Sequence, residues 1–232
     1  RSSAASDVYK RQVKTMLRTK FEEELDKLHN QFYSMGTEVL AQINKTVRAF
    51  VSHDRELAKE VIEEDDTINE FETKLEKKSL EIIALQQPVS NDLRTVITVL
   101  KASSDIERMG DHASSIAKAT IRMKGEERIP VVEEQINLMG KAVKQMVEDA
   151  LNAYINADDV KAYEIAASDE VIDNYFREIQ SLAVAEIRKT PDAVFAGKEY
   201  FQVLMYLERI GDYARNICEW IVYLKTGKII EL

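Results

Sequence analysis

One pattern occurs twice in the 232 residues, and that repeat constrains the fold more than any other feature. Met35-Gly36 recurs as Met139-Gly140, a shift of 104. The same shift carries Val39 to Val143, Asp54 to Asp158, Glu60 to Glu164, Asp65 to Asp169 and Ile68 to Ile172. Past Pro88 the shift becomes 101, which carries Glu107-Arg108-Met109-Gly110-Asp111-His112-Ala113 onto Glu208-Arg209-Ile210-Gly211-Asp212-Tyr213-Ala214. Two copies are too few for a solenoid, and about 105 residues per copy suffice for a small core in which three long helices bury a shared seam.

Each copy reads as three long helices. Phe21, Leu25, Leu28, Phe32, Met35, Val39, Ile43, Val47 and Phe50 step by three and four, the beat of one helical stripe. Ser52-His53-Asp54 interrupts it, and Asp54 is placed to cap a second helix that runs to about 85. Gln86-Gln87-Pro88 forces a turn, because proline disfavours helix at the residue before it. Ser90 or Asn91 is then expected to cap a third helix to about 124. After Gly125–Pro130 the plan repeats, with helices over about 132–156, 158–189 and 193–225. The expected fold is all-α: two tandem, pseudo-symmetric three-helix bundles over 17–126 and 127–232, related by an approximate two-fold. Arg1–Gln12 is rich in serine and alanine without an apolar period. Residues 1–15 therefore read as a vector-derived or disordered segment, with Met16 as the start.

Composition agrees. Seven glycines and three prolines are few for a sheet protein. The net charge of −9 repels phosphate backbones, so nucleic acid is not an expected partner. No uncharged run approaches the ~20 residues of a membrane-spanning helix. The single cysteine, Cys218, forms no internal disulfide and reads as a structural thiol in a reducing cytoplasm.

The residues with chemical potential are carboxylates. Glu208 and Asp212 are four apart, hence one turn apart on one face, away from the seam Leu207, Ile210, Ala214 and Ile217. Glu107 and Asp111 repeat this in the first copy. The middle helices add Asp169 and Asp173 in the second copy, and Asp65 with Asn69 in the first, flanked by Asp66 and Glu72. Two readings fit: solvated acidic faces, or oxygen-donor sites for iron, manganese, magnesium or calcium. Gly110 and Gly211 fit either close helix packing or room for a cluster or partner. Arg108 and Arg209 fit pairing with nearby acids or contact with a partner. His112 adjoins the motif and is a weak ligand candidate. No nucleophile constellation, phosphate loop or paired CxxC is present, and no histidine follows a glutamate by three, as a ferritin-like oxidase requires. By residues alone, a regulatory binding module, a metal-dependent helical enzyme (oxidase or phosphohydrolase) and a purely structural protein stay open.

The two ERxGD segments, the tandem repeat and Gln87-Pro88 followed by Asp92-Leu93-Arg94 resemble the PhoU family over essentially all of 17–232. The resemblance implies a cytoplasmic accessory protein without enzymatic activity, catalytic residues or a bound organic cofactor. It would restrain the phosphate ABC transporter through its ATPase subunit when phosphate is plentiful, and signal to a sensor histidine kinase. The resemblance also implies a homodimer. Carried over by position, it gives Glu107, Asp111, Glu208 and Asp212 as ligands of iron or another divalent metal, with Asp65, Asp169 and Asp173 from the middle helices. Asn69 departs from the acidic pattern in the first copy.

Overall fold

In the computed structural model the backbone is described for residues 2–232 and the side chains for residues 18–232. The expectation about residues 1–15 falls on side chains outside that set. Apart from short connections and residues 227–232, the described residues are helical, with no strand. The elements are α1 (Ser2–Ser52), α2 (Arg55–Gln86), α3 (Ser90–Arg122), α4 (Pro130–Asn156), α5 (Asp159–Ala167), α6 (Asp169–Lys189), a 3₁₀ turn (Pro191–Ala193) and α7 (Val194–Thr226). None is long and apolar enough to cross a membrane.

The repeat is visible in backbone detail. His53 and Ala157, related by the shift of 104, are both left-handed, with φ of 59° and 46°. In each copy the following aspartate closes the same turn: Asp54 N–H donates to Ala49 O at 2.9 Å, and Asp158 N–H to Ala153 O at 3.0 Å. Each aspartate then caps the next helix. Asp54 accepts from Leu57 N–H and Asp158 from Lys161 N–H, both at 3.0 Å.

Two expectations need correction. The long fifth helix is divided at Ser168. There the Ser168 N–H is shared between Glu164 O and Ile165 O, and its hydroxyl donates to Ile165 O at 2.6 Å. A side chain competing for backbone acceptors tightens the turn. The counterpart is Glu64, which instead pairs with Lys45, and α2 runs unbroken. The third helix also lacks the expected side-chain cap. Its N-cap is Val89, and the Asn91 carbonyl oxygen accepts from Arg94 instead.

The copies face each other across two antiparallel crossings. On α1 and α4, a Cβ at Gly36 would lie 2.4 Å from Leu151 Cδ2, and one at Gly140 would lie 2.6 Å from Val47 Cγ1. Positions 36 and 140 are equivalent, as are 47 and 151, so one contact occurs twice about a pseudo-two-fold axis. On α3 and α7, His112 stacks 5.7 Å from Tyr213, its own repeat counterpart. Most buried apolar residues of both copies form one contiguous core, from Leu28 and Phe32 on α1 to Ile221 on α7, and a small second cluster gathers Leu57, Ala58 and Val61 of α2 with Ala49 and Ala117.

Candidate acidic sites

The first site lies between α2 and α3. Gly110 brings α3 close: a Cβ there would sit 3.1 Å from Gln42 Oε1 on α1 and 3.3 Å from Ile68 Cγ2 on α2. That approach places Glu107 and Asp111 beside Asp65. Burial pushes the Glu107 carboxyl up to about 7, reinforced by the charges of Asp111, Glu72 and Asp65 and opposed by Arg108. Burial also raises Asp65, with Asp111 adding to it and Lys118 and the Gln42 amide opposing. Gln42 is fully buried and donates from Nε2 to Val61 O at 3.1 Å. Its Oε1, like Asp65 Oδ1, is buried without a hydrogen-bond partner.

The second site, between α6 and α7, uses the same frame. A Cβ on Gly211 would lie 3.0 Å from both Asp169 Oδ1 and Ile172 Cδ1. Here α7 supplies its own cation. Arg215 donates from Nη1 to Asp169 Oδ2 at 3.1 Å and from Nη2 to Asp212 Oδ1 at 3.4 Å. Burial nevertheless pushes Asp169 up to about 6, opposed by Arg215 and reinforced by Asp212 and Asp173. Burial raises Glu208 too, with Asp212 adding and Arg209 opposing.

All seven sequence-predicted carboxylates therefore fall in two electrostatically coupled groups: Asp65, Glu107 and Asp111 in one, Asp169, Asp173, Glu208 and Asp212 in the other. Both glycines serve close packing. Asn69 is exposed, and its backbone carbonyl oxygen accepts from the Thr73 hydroxyl. Arg209 sits 3.9 Å from both Glu208 and Asp212, while Arg108 lies over the Tyr213 ring at 5.8 Å. His112 is stacked against Tyr206 and Tyr213, and burial lowers its pKa. Cys218 is fully buried and its thiol is pushed up to about 12, so it packs rather than reacts. Sequence reasoning missed Gln42, Lys118 and Arg215. Only Arg215 carried a local signal, standing three residues past Asp212; its partner Asp169 is remote in sequence.

Among the described residues no three His, Cys, Asp or Glu side chains converge closely enough to hold a metal ion. In donor chemistry the two sites suit an oxygen-seeking cation unequally. The first carries three carboxylates, one of them with an unpartnered buried oxygen, and the unpartnered Gln42 Oε1, whereas in the second a guanidinium already bridges two of the carboxylates.

The PhoU domain family matches this chain twice, over residues 32–120 and 136–221. The chain belongs to the PhoU family. It is 38% identical over 218 residues to the phosphate-specific transport system accessory protein PhoU homolog of Clostridium acetobutylicum, covering 94% of this chain and 99% of that one. The Streptococcus pneumoniae homolog of the same name is 37% identical, covering 93% and 100%. Among solved structures, the phosphate transport system regulatory protein PhoU of S. pneumoniae superposes with a TM-score of 0.85 at 36% identity, covering 91% of this chain and all of that one. PhoU from Pseudomonas aeruginosa gives 0.83 at 34%, covering 90% and 100%. Both PhoU matches contain one acidic site each.

Proposed function

We propose that this chain is a cytoplasmic regulator of phosphate uptake. It docks, as a homodimer, on the ATPase subunit of a phosphate ABC transporter and restrains it when phosphate is plentiful. It passes the transporter's state to a sensor histidine kinase and catalyses no reaction itself. The observation that carries this reading is likeness over nearly the full length of both chains to proteins named as accessory proteins of phosphate transport.

The physical features are compatible with reversible docking. The surface is acidic and polar, as transient interfaces tolerate. Such an adaptor shifts its partner only through a difference in affinity between two states. In this reading iron or another divalent cation would draw together Asp65, Glu107 and Asp111 in the first half, and Asp169, Asp173, Glu208 and Asp212 in the second, which do not converge on one point without it. A bound cation supplies positive charge that neutralises like-charged carboxylates; in the second half it must displace Arg215.

Deleting the protein is expected to raise phosphate accumulation in phosphate-rich medium, and a Glu107→Ala plus Glu208→Ala variant is expected to restore control only partly. Manganese(II) or iron(II) is expected to raise the melting temperature of the wild-type protein more than that of the variant. Unchanged uptake in the deletion strain, with no transporter association, rejects the regulatory reading. Equal metal responses reject the cation assignment alone.

A further inference from the structure

A cleft of ≈ 610 Å³ opens between α2, α3 and α7, next to the first acidic site but built from other residues apart from Glu72. Its floor is Asp105, only 8% exposed. One Asp105 oxygen accepts from Asn216 Nδ2 at 3.3 Å and the other from Trp220 Nε1 at 3.2 Å. A carboxylate has about four acceptor positions, so each oxygen keeps one to spare. The Trp220 indole is fixed by that bond and by an edge contact with Tyr223 at 5.9 Å, and it forms one wall. Glu76 and Glu219 line the cleft as well, so with Glu72 four carboxylates face two cations, Lys101 and Arg108. Arg108 is drawn onto the Tyr213 ring, which is not part of the lining.

The acidic and indole lining of this cleft is found in one copy of the repeat only. At the equivalent positions Glu72, Glu76 and Asp105 become Phe176, Gln180 and Tyr206, while Glu219 and Trp220 become Lys118 and Ala119. Four acids and the indole are all lost, and one acid is replaced by a base. The cleft is thus a feature added to the shared frame.

We propose that the cleft receives an arginine side chain from a partner protein, the docking contact of the adaptor reading on which this inference rests. The excess of carboxylate selects a cation. The indole selects a planar, weakly hydrated one, because guanidinium stacks on aromatic faces while forming paired hydrogen bonds to carboxylate; ammonium does only the second well. The volume accommodates an arginine with its flanking backbone.

Trp220 is the only tryptophan of the chain, so its emission reports the cleft directly. The full chain is titrated with blocked Gly-Arg-Arg-Gly, with the same peptide carrying citrulline for arginine, and with inorganic phosphate. A saturable change in Trp220 emission is expected with the arginine peptide, at least tenfold weaker with citrulline and absent with phosphate. Glu76→Gln plus Glu219→Gln is expected to weaken arginine binding about tenfold with an unchanged circular dichroism spectrum and melting temperature. No response, equal affinity for both peptides, a phosphate response, or an unaffected double variant overturns the proposal. If the titration fails while the purified transporter ATPase still co-elutes with the chain, the cleft is wrong and the adaptor reading stands. If it succeeds while deletion leaves uptake and association unchanged, the cleft stands and the adaptor reading falls.

Discussion

The two halves of this chain share a frame and differ in how they handle charge. In each, a glycine on the third helix lets it close on an isoleucine of the second, Gly110 on Ile68 and Gly211 on Ile172, and a Glu-x-x-x-Asp pair is carried into an acidic neighbourhood. In the second half Arg215 reaches back to Asp169 and Asp212. In the first half the same position is Ser114, whose buried hydroxyl has no partner, and the acids are offset instead by the charges of Lys118 and Arg108. A duplicated scaffold preserves the backbone relation that both copies need for packing. Side chains facing the cluster are free to diverge, so in one site a guanidinium bridges two of the carboxylates and in the other that bridge is missing.

The same divergence appears at one repeat position at the ends of the α1–α4 crossing, and it gives the largest expected effect. Glu133 is buried with 6% side-chain exposure; it accepts from Arg128 and from the Tyr200 hydroxyl at 2.9 Å and pairs with His53 at 2.8 Å. Its counterpart His29 has one such partner, the Tyr154 hydroxyl at 2.5 Å. Glu133→Ala leaves Arg128, 11% exposed, without its carboxylate and is expected to cost about 3 kcal/mol. His29→Ala, losing one hydrogen bond, is expected to cost about 1.5 kcal/mol. Urea denaturation of both variants checks the order, and equal costs would mean that the Glu133 network adds nothing beyond a single bond.

How much of this was legible depends on whether the cause is local. Helix stripes, the Asp54 cap and the one-turn spacing of Glu107 and Asp111 are properties of neighbouring residues, and the repeat signals the pseudo-two-fold directly. The break at Ser168 escaped notice because it depends on a hydroxyl competing for one carbonyl within an otherwise helical stretch. The α3 cap is not legible in the sequence, because the helix already begins at Ser90 and the Asn91 side chain accepts from Arg94. Gln42 escaped because nothing in α1 shows that its amide meets residues of α2 and α3, and the Arg215–Asp169 bridge spans two helices. Cross-helix partners follow from packing register, which no periodicity within a single helix specifies.

The contrast between Arg215 and Ser114 is sharpened by removing each. Arg215→Ala leaves Asp169 buried beside Asp212 and Asp173. Because Arg215 is 36% exposed, solvent screening reduces the loss, and about 2 kcal/mol is expected. Ser114→Ala deletes a hydroxyl that satisfies nothing and is expected to be neutral or slightly stabilising. Thermal unfolding at pH 7.5 in the presence of chelator measures both. A neutral Arg215→Ala would mean that the guanidinium is not the counter-charge of the second site.

The smallest effect tests the first site itself. In metal-free protein the Glu107 carboxyl titrates near 7 rather than 4.5, so the folded state binds its proton more tightly than the unfolded chain does. Its contribution therefore favours folding below pH 4.5 and is lost as pH rises to about 7, above which it is flat. Glu107 is half-buried, and after discounting for solvent screening the span is about 1 kcal/mol. Glu107→Gln removes the like charge, so at pH 8 it is expected to raise metal-free stability by about 0.5 kcal/mol and to flatten the decline between pH 5 and 7.5. Glu208→Gln is expected to gain less, because Arg209 adjoins Glu208 and Arg215 already offsets Asp169. With manganese(II) present the sign is expected to reverse for Glu107→Gln, since the lost charge then belongs to a ligand. A variant that melts lower than wild type without metal would show that Glu107 is a stabilising partner in its own site, and the like-charge repulsion that motivates a cation there would not exist.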